Sequence, residues 1–600
     1  MRPLLKNGDA RKSSSRFTLL FGLGARDFNL RAVSKMLKAS GAMAAATMLS
    51  RVLGMVREIV YYHFMGTGWV NDAFQYAFTI PNLFRRLLGE GALTAAFIPI
   101  FKQKERAHGE VEMWRAANAV ISGLLVSTSV IVALALLVIS LALAFGSPQL
   151  AGLPLTDSGL HQTVAVAETN AVIPASETVH FWTPGHFPPK IILMLHLMRV
   201  MFPYMILVCL AAAMMGMLNS RGHFFIPAMG ATMLNVVMIS SVWWLAPRFG
   251  VDLPKEQKLP VQIFALAYGV LAAGVAQAAF QMPTLWRDGF RYRWVSPWKN
   301  ETVRRVVRQM VPGTIGVAAF QINVALVQGV ALFVGAGIVS SFNGAVRLME
   351  LPQGIFGVSL ATYLLPTLAG LAADKNYPEF RATLRHGLSS LVFLNLIASI
   401  LLIVLAEPIV RLLFEHGENF TAVSTARVSF ALECLAPGLV AFSVVNILAR
   451  AFFALGDTKT PMKISLVCLA INFITACILI VPLREGGPGI ANTFTSLINV
   501  GLLLFALRKK LGKLEMEPLF ATLRPLVLAT ILAGVIAWCG WHSWEQSLGH
   551  GTIALKLGAV FVPATLAGLV YLLAALQMKI PAAKEMLDFA LTKFQRRTKQ

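Results

Sequence analysis

Residues 117–145 read ANAVISGLLVSTSVIVALALLVISLALAF, an unbroken run from Ala117 to Phe145 without one charged side chain. As a helix rising about 1.5 Å per residue it outruns the roughly 30 Å of hydrocarbon in a bilayer. Strands with open edges cannot be satisfied in lipid, so the stretch predicts a membrane-spanning helix. On its N-terminal side lie Lys102, Lys104, Arg106 and Arg115; on its C-terminal side lies a long Pro/Gly/Thr-rich segment, 146–190, with no apolar span.

The rest of the chain repeats this pattern. Of 600 residues, 56% are hydrophobic and 14% charged, a composition that excludes a soluble domain of this size. The net charge of +23 does not require a nucleic-acid partner. The basic residues cluster in alternate loops, as the positive-inside rule expects. Besides the 101–116 loop, these are 283–308 (Arg287, Arg291, Arg293, Lys299, Arg304, Arg305, Arg308), 508–523 (Arg508, Lys509, Lys510, Lys513) and the tail with Lys593, Arg596, Arg597 and Lys599. Cys209, Cys434, Cys468, Cys477 and Cys539 lie in or near apolar runs and show neither a metal-binding spacing nor a disulfide framework. No metal and no cofactor is expected.

Apolar runs predict an all-α polytopic membrane protein with about fourteen spans. They lie near 40–62, 72–100, 117–145, 191–219, 224–246, 261–282, 309–334, 338–370, 387–414, 425–454, 462–482, 487–507, 524–543 and 553–577. An even count with this loop asymmetry places both termini in the cytoplasm. The first half recurs in the second. Phe64-Met65-Gly66-Thr67-Gly68 matches Phe333-Val334-Gly335-Ala336-Gly337, Pro81 matches Pro352, and Pro99 matches Pro366. Gly222 and Pro227 match Gly456 and Pro461 at a smaller offset, and the long 146–190 loop accounts for the change. The chain therefore divides into a basic extension (1–35), a six-helix N-lobe (36–282), a basic linker (283–308), a six-helix C-lobe (309–507), two extra helices (508–577) and a basic tail (578–600). Parallel repeats of this kind are a transporter architecture with the cargo site between the halves.

Arg51, Arg57, Glu58, Arg85, Arg86 and Glu90 fall within the first two spans, and Arg347 and Glu350 within a later one. Each would cost roughly 2.5–3.5 kcal/mol at a bilayer centre on the insertion scale, so a water-accessible polar cavity is implied. Its excess of arginine suits an anionic cargo, because guanidinium pairs with phosphate in a planar two-bond fork.

Three blocks carry a family resemblance. The first runs Ser50-Arg51-Val52-Leu53-Gly54-Met55-Val56-Arg57-Glu58, Asn71-Asp72-Ala73-Phe74, then Ile80-Pro81-Asn82 through Arg85-Arg86 and Gly89-Glu90-Gly91-Ala92 to Ala95-Ala96-Phe97-Ile98-Pro99. The second is Arg347-Leu348-Met349-Glu350-Leu351-Pro352-Gln353-Gly354, closing at Leu365-Pro366. The third is Gly456-Asp457-Thr458-Lys459-Thr460-Pro461. Together they resemble the MurJ (MviN) family of the multidrug/oligosaccharidyl-lipid/polysaccharide exporter superfamily. The resemblance implies two six-helix lobes in a V, with the last two helices building a groove for a lipid tail. It implies as cargo lipid II, an undecaprenyl-pyrophosphate carrying a disaccharide-pentapeptide, moved across the bacterial inner membrane for peptidoglycan synthesis. Membrane lipids and proteins of cell-wall synthesis or division are the other expected partners. Two features depart from the family pattern: the length of the 146–190 loop and the extension before residue 36.

The resemblance assigns Arg51, Arg57, Arg85 and Arg347 to pyrophosphate binding. The ordinary alternative is interhelical pairing with Glu58, Glu90 or Glu350. Arg86 stands one turn before Glu90, an i,i+4 pair, and Glu350 shares a helical face with Arg347, suited to orienting it. Glu90 between Gly89 and Gly91 suits a hinge. Asp72 opens the second span, where it suits either a helix N-cap or a gating role. Asp72, Arg86, Glu90 and Glu350 are thus read as gating or orienting residues, with coupling to membrane potential or a monovalent cation. The competing readings are export of another polyprenyl-linked glycan, MATE-like export, and a membrane enzyme acting on polyprenyl lipids. An arginine-rich cavity opposes cationic drugs. No paired-aspartate motif or convergent His/Glu cluster suggests catalysis, so a non-enzyme is expected.

Overall fold

A computed structural model describes residues 48–89, 92–146, 187–298 and 300–588. Among them there is helix and turn but no strand. The helices are α1 (48–65), α2 (Trp69–Phe84), α3 (Ala92–Gly146), α4 (Pro189–Met201), α5 (Tyr204–Ser220), α6 (Phe225–Ser240), α7 (Lys255–Arg287), α8 (Glu301–Val334) and α9 (Ile338–Pro352). There follow α10 (Ser359–Ala373), α11 (Tyr377–Val404), α12 (Ala406–Phe414), α13 (Ala422–Leu435), α14 (Gly438–Ala454), α15 (Lys459–Leu483), α16 (Gly486–Leu511), α17 (Glu517–Ser547) and α18 (Ile553–Gln577). The basic extension, most of the 146–190 loop, Glu90 and the end of the tail lie outside the described residues.

Among the described residues nine helices are long and apolar enough to cross a membrane, or eleven if each of two bent pairs counts as one span. The expected intervals 40–62, 72–100 and 309–334 do not pass that test. The first, described from residue 48, holds Arg51, Arg57 and Glu58; the second is interrupted by a π turn at Arg85–Gly89; and of the third the described apolar stretch is Ala318–Val334. The 101–116 segment, expected as a loop, is helical apart from Gly109 at φ +80°. Lys102 and Glu105 pair one turn apart there at 2.7 Å, and Arg221 reaches Glu105 and Glu110 at 2.7 and 2.9 Å. These contacts let a charged segment stay wound.

The two halves share their irregularities. A π segment follows α2 at Arg85 and another follows α9 at Gln353, 268 residues later. The α4–α5 pair bends by 44° and the α13–α14 pair by 46°. The bends fall at Pro203 and Pro437, where the ring removes a donor and crowds the preceding turn. Each bent pair then ends in a left-handed glycine, Gly222 at φ +88° and Gly456 at φ +74°. The same closing bond recurs, His223 N to Leu218 O and Asp457 N to Phe452 O, each 2.9 Å.

α1 lies between the halves. Tyr61 is buried in the apolar core built mainly from α2–α5 and α7, which also takes in residues of α8 and α9, whereas the adjacent Tyr62 is buried with Phe342, Phe414 and Phe420 of the second half. Successive helix residues point about 100° apart, so one helix can serve both cores. The Tyr62 hydroxyl donates to Ser340 O at 2.7 Å. α17 and α18 pack on α11, where Tyr571 donates to Phe393 O at 2.7 Å. Ala529, Ala533 and Ala537 recur every turn on α17, small residues that permit a close crossing in lipid.

Candidate functional site

Arg57, Glu58 and Arg347 meet where α1 passes α9. The Arg57 guanidinium donates to Glu58 Oε1 at 2.5 Å, and Arg347 Nε lies 3.3 Å from the same oxygen. Arg347 also donates to Glu350 Oε2 at 2.9 Å, the pairing anticipated from their shared face. Arg57 donates a second bond to Asn235 Oδ1 of α6 at 3.0 Å and lies over the Tyr61 ring, 5.4 Å from its centroid. Arg57 and Glu58 are the inner members, 13% and 11% exposed, while Arg347 and Glu350 are 42% and 51% exposed. The cluster is therefore anchored on one side and open to solvent on the other. Arg51 stands two turns before Glu58 on α1, exposed, with its guanidinium against Gly354 of the second π segment.

Arg85 and Arg86 occupy the first π segment, both half-buried. Arg86 donates to Gln321 of α8 at 3.4 Å, a bond across the halves. Its expected partner Glu90 lies outside the described residues. Among them Glu58 pairs with Arg57 and Arg347 and with no other cation.

Asp72 does not cap its own helix. It is fully buried and accepts Gly337 N–H at 2.5 Å and Ser340 N–H at 2.8 Å, so it caps α9 from α2. The carboxylate meets the positive end of that helix and satisfies donors that would otherwise be orphaned. Around it runs a seam of uncharged polar contacts. Thr79 donates to Gln328, Gln328 to Asn343, Asn343 to Gln75, Gln75 to Asn71, and Asn71 to Gly66 O, at 3.0, 3.0, 2.5, 2.9 and 2.5 Å. Thr67 donates to Ser424 at 2.7 Å, and Asn419 to Phe64 O at 2.6 Å. Arg427 buttresses the Gly335–Gly337 turn through Ala336 O at 2.6 Å and Glu485 at 3.1 Å. All of this lies at the end of the molecule opposite the basic loops, and there the halves are held together.

Asn235, Gln75, Asn343 and Gln328 were not singled out in the sequence. The available signal was an amide within an otherwise apolar helical stretch, alone in α6 and α9 and one of several in α2 and α8, and an amide has no partner until helices distant in sequence are placed together. The five cysteines are free, and no group of acidic, histidine or cysteine side chains could hold a metal among the described residues.

Comparison with known proteins identifies the family and the fold. The family model of the lipid II flippase MurJ matches residues 61–158 and 158–558. A lipid II flippase MurJ of Burkholderia cenocepacia is 31% identical over 499 residues, covering 82% of this chain and 88% of that protein. A probable lipid II flippase MurJ of Rhizobium tropici is 32% identical over 540 residues, covering 89% and 92%. A solved lipid II flippase MurJ in an inward closed conformation superposes with a TM-score of 0.64 at 20% identity, over 89% of this chain and 97% of that one. An inward-facing MATE family transporter of the MOP superfamily superposes with a TM-score of 0.57 at 15% identity, over 79% and 99%. At these identities the structures establish the fold alone, a multi-pass helical one shared by both transporters. Family model and relatives span most of the sequence, and the chain belongs to the lipid II flippase MurJ family.

Proposed function

We propose that this chain carries lipid II from the cytoplasmic to the periplasmic leaflet of the bacterial inner membrane by alternating access, with Arg57 and Arg347 clamping the pyrophosphate. The observation that supports the clamp is one carboxylate oxygen, on Glu58, held between two guanidiniums from opposite halves. A pyrophosphate presents two anionic groups where Glu58 presents one oxygen. It can take the planar forks of both arginines while Glu58 and Glu350 swing toward solvent. Arg51 lies on the same helix, nearer the basic loops, and serves as the first contact for the headgroup. Arg85 and Arg86, in the π turn, serve the later part of the path.

The transition opens the seam around Asp72 and closes the opposite end. Hydrogen bonds between uncharged amides and hydroxyls are each worth roughly 0.5–1.5 kcal/mol net, so they can be exchanged for water without a prohibitive barrier. The π segments after α2 and α9 are the natural places for each half to bend. The basic loops face the cytoplasm. The interior-negative potential assists outward movement of an anion by roughly 2.3 kcal/mol per charge per 100 mV, less whatever cation travels with it. The last two helices, α17 and α18, carry the prenyl tail.

The test uses bacterial cells depleted of their own flippase and expressing this chain, with lipid II measured at the outer face. Restored exposure is expected. Absence of restoration by a well-inserted, equally expressed chain would redirect the reading to another polyprenyl-linked cargo. Collapsing the potential should slow transport by the purified protein; unchanged transport would remove the electrical contribution.

A further inference from the structure

At the basic end of the molecule, away from the Arg57–Arg347 cluster, the described part of the linker, 288–298, is strapped across α3. Asn118 donates to Arg291 O at 3.0 Å, Ser122 meets the Tyr292 hydroxyl at 3.2 Å, and Val295 N donates to Ser122 at 3.4 Å. Phe290 is buried against Trp114, with ring centroids 5.5 Å apart. Beyond it the Asn300 side chain accepts from Thr302 N and Val303 N and so starts α8 at a fixed point. Between strap, α3 and α8 lies a groove of about 710 Å³. Its floor is apolar, made by Gly123, Val126, Val130 and Val303, and Arg304 and Arg308 stand on its rim one helical turn apart.

Both arginines are exposed and neither forms an ion pair among the described residues. Trp298 lines the groove and is 76% exposed, and Trp294 of the same strap is 60% exposed. Unpaired arginines beside bare indoles at the edge of a span mark the membrane–water boundary, where tryptophan prefers to sit. A basic pocket between helices at that depth matches an anionic lipid headgroup, with acyl chains lying along the apolar floor.

We infer that the groove between α3 and the start of α8 binds an anionic phospholipid of the surrounding bilayer, its phosphate held by Arg304 and Arg308. The occupant is a resident lipid and not the transported cargo, because no residue of the groove belongs to the inter-lobe cluster. A lipid seated there would tie the linker and the two halves it joins to the leaflet beside them.

The experiment is native mass spectrometry of the purified full chain titrated with phosphatidylglycerol or phosphatidylcholine, together with retention of phosphatidylglycerol through purification. Three variants are compared with wild type: Arg304→Gln/Arg308→Gln, which removes the charges; Gly123→Leu, which fills the floor and keeps them; and Arg508→Gln/Lys509→Gln, which removes charges from another basic loop. A Cβ on Gly123 would stand 3.4 Å from both Pro297 and Val303, so a larger side chain there fills the groove. Wild type is expected to prefer phosphatidylglycerol. The double arginine variant should bind it about thirtyfold more weakly, from about 1 kcal/mol per basic residue. Gly123→Leu should also bind weakly while remaining monodisperse, and the distant pair should bind as wild type does. Ser127→Phe fills the same floor if Gly123→Leu misfolds. Equal weakening by the distant pair, or wild-type binding in the groove variants, would overturn the assignment. Displacement of phosphatidylglycerol by equimolar lipid II would overturn it in favour of a cargo station.

Discussion

Arg57 and Arg347 reach a common oxygen of Glu58, one at 2.5 Å and the other at 3.3 Å, from helices that belong to opposite repeats. Glu58 thus holds apart two cations that would otherwise repel, and it does so in the position proposed for the cargo's pyrophosphate. Removing one partner of a buried pair leaves a charge uncompensated, at a cost of about 3–5 kcal/mol when burial is complete. Glu58→Gln should therefore lower the apparent melting temperature in detergent, and Arg347→Gln, at the solvent-exposed side, should lower it less. The Arg57→Gln/Glu58→Gln double variant should recover part of the loss. Additive losses in the double variant would show that the pair is not coupled.

Asp72 and the polar seam close the end opposite the basic loops. Thr67 and Ser424 oxygens are 2.7 Å apart across it. Cysteines at both positions, in a background lacking the native five, should form a disulfide under mild oxidation and stop lipid II exposure, with recovery on reduction. Asp72→Ala removes both acceptors from the start of α9 and should slow that cross-linking several-fold. Cross-linking that leaves transport intact would mean that this end need not open.

Gly337 has φ +77°, and a Cβ there would come within 2.3 Å of Arg427 Nη1. Gly456 has φ +74° but meets nothing within 4 Å. Alanine at either position pays for the left-handed backbone, about 1–2 kcal/mol. Only Gly337→Ala also displaces the guanidinium that secures Ala336 O, a charge-assisted bond worth roughly 1.5–3 kcal/mol. Thermal unfolding should rank Gly337→Ala well below Gly456→Ala; equal melting temperatures would contradict the Arg427 contact.

Asp457, outside the spans, accepts from Lys510 at 2.8 Å and from Thr460 N and Oγ1 at 3.0 and 2.8 Å. Lys510 first, then Thr460, hold its carboxyl well below the usual carboxylate range. A depressed folded-state pKa contributes stability that is complete above the unfolded value near 4 and is lost as pH falls toward the folded one. Asp457→Asn should cost about 1 kcal/mol at neutral pH, as for loss of a helix cap. Its deficit relative to wild type should begin to shrink only below about pH 4. A deficit already closing between pH 7 and 5 would contradict this.

Much of the fold is legible in the sequence, because lipid imposes long apolar helices and internal repetition leaves offsets. The glycine and proline offsets recorded the repeat, whereas the match between the bends at Pro203 and Pro437 emerged only from the structure. Charges within spans marked Arg57, Glu58, Arg347 and Glu350, since lipid makes each one conspicuous. Less legible was how these residues pair. Glu58 was one of several candidate counter-ions, and its role as the hub depends on α1 lying between the halves. Asp72 suited a cap from sequence, but the helix it caps is α9, 265 residues away at Gly337. The amides of the seam carry no charge, and although Asn71, Gln75 and Thr79 recur every four residues on α2, that spacing marks a polar face without naming its partners on α8 and α9.

The central claim is that Arg57 and Arg347 hold the pyrophosphate. The most direct measurement is equilibrium binding of lipid II to the purified chain, compared with Arg57→Ala, Arg347→Ala and the conservative Arg57→Lys and Arg347→Lys. Each alanine variant should weaken binding by thirtyfold or more, from about 2–5 kcal/mol for a charged hydrogen-bonded contact, with lysine restoring only part of it. Wild-type affinity in well-folded alanine variants at both positions would place the cargo's phosphates elsewhere and contradict the account.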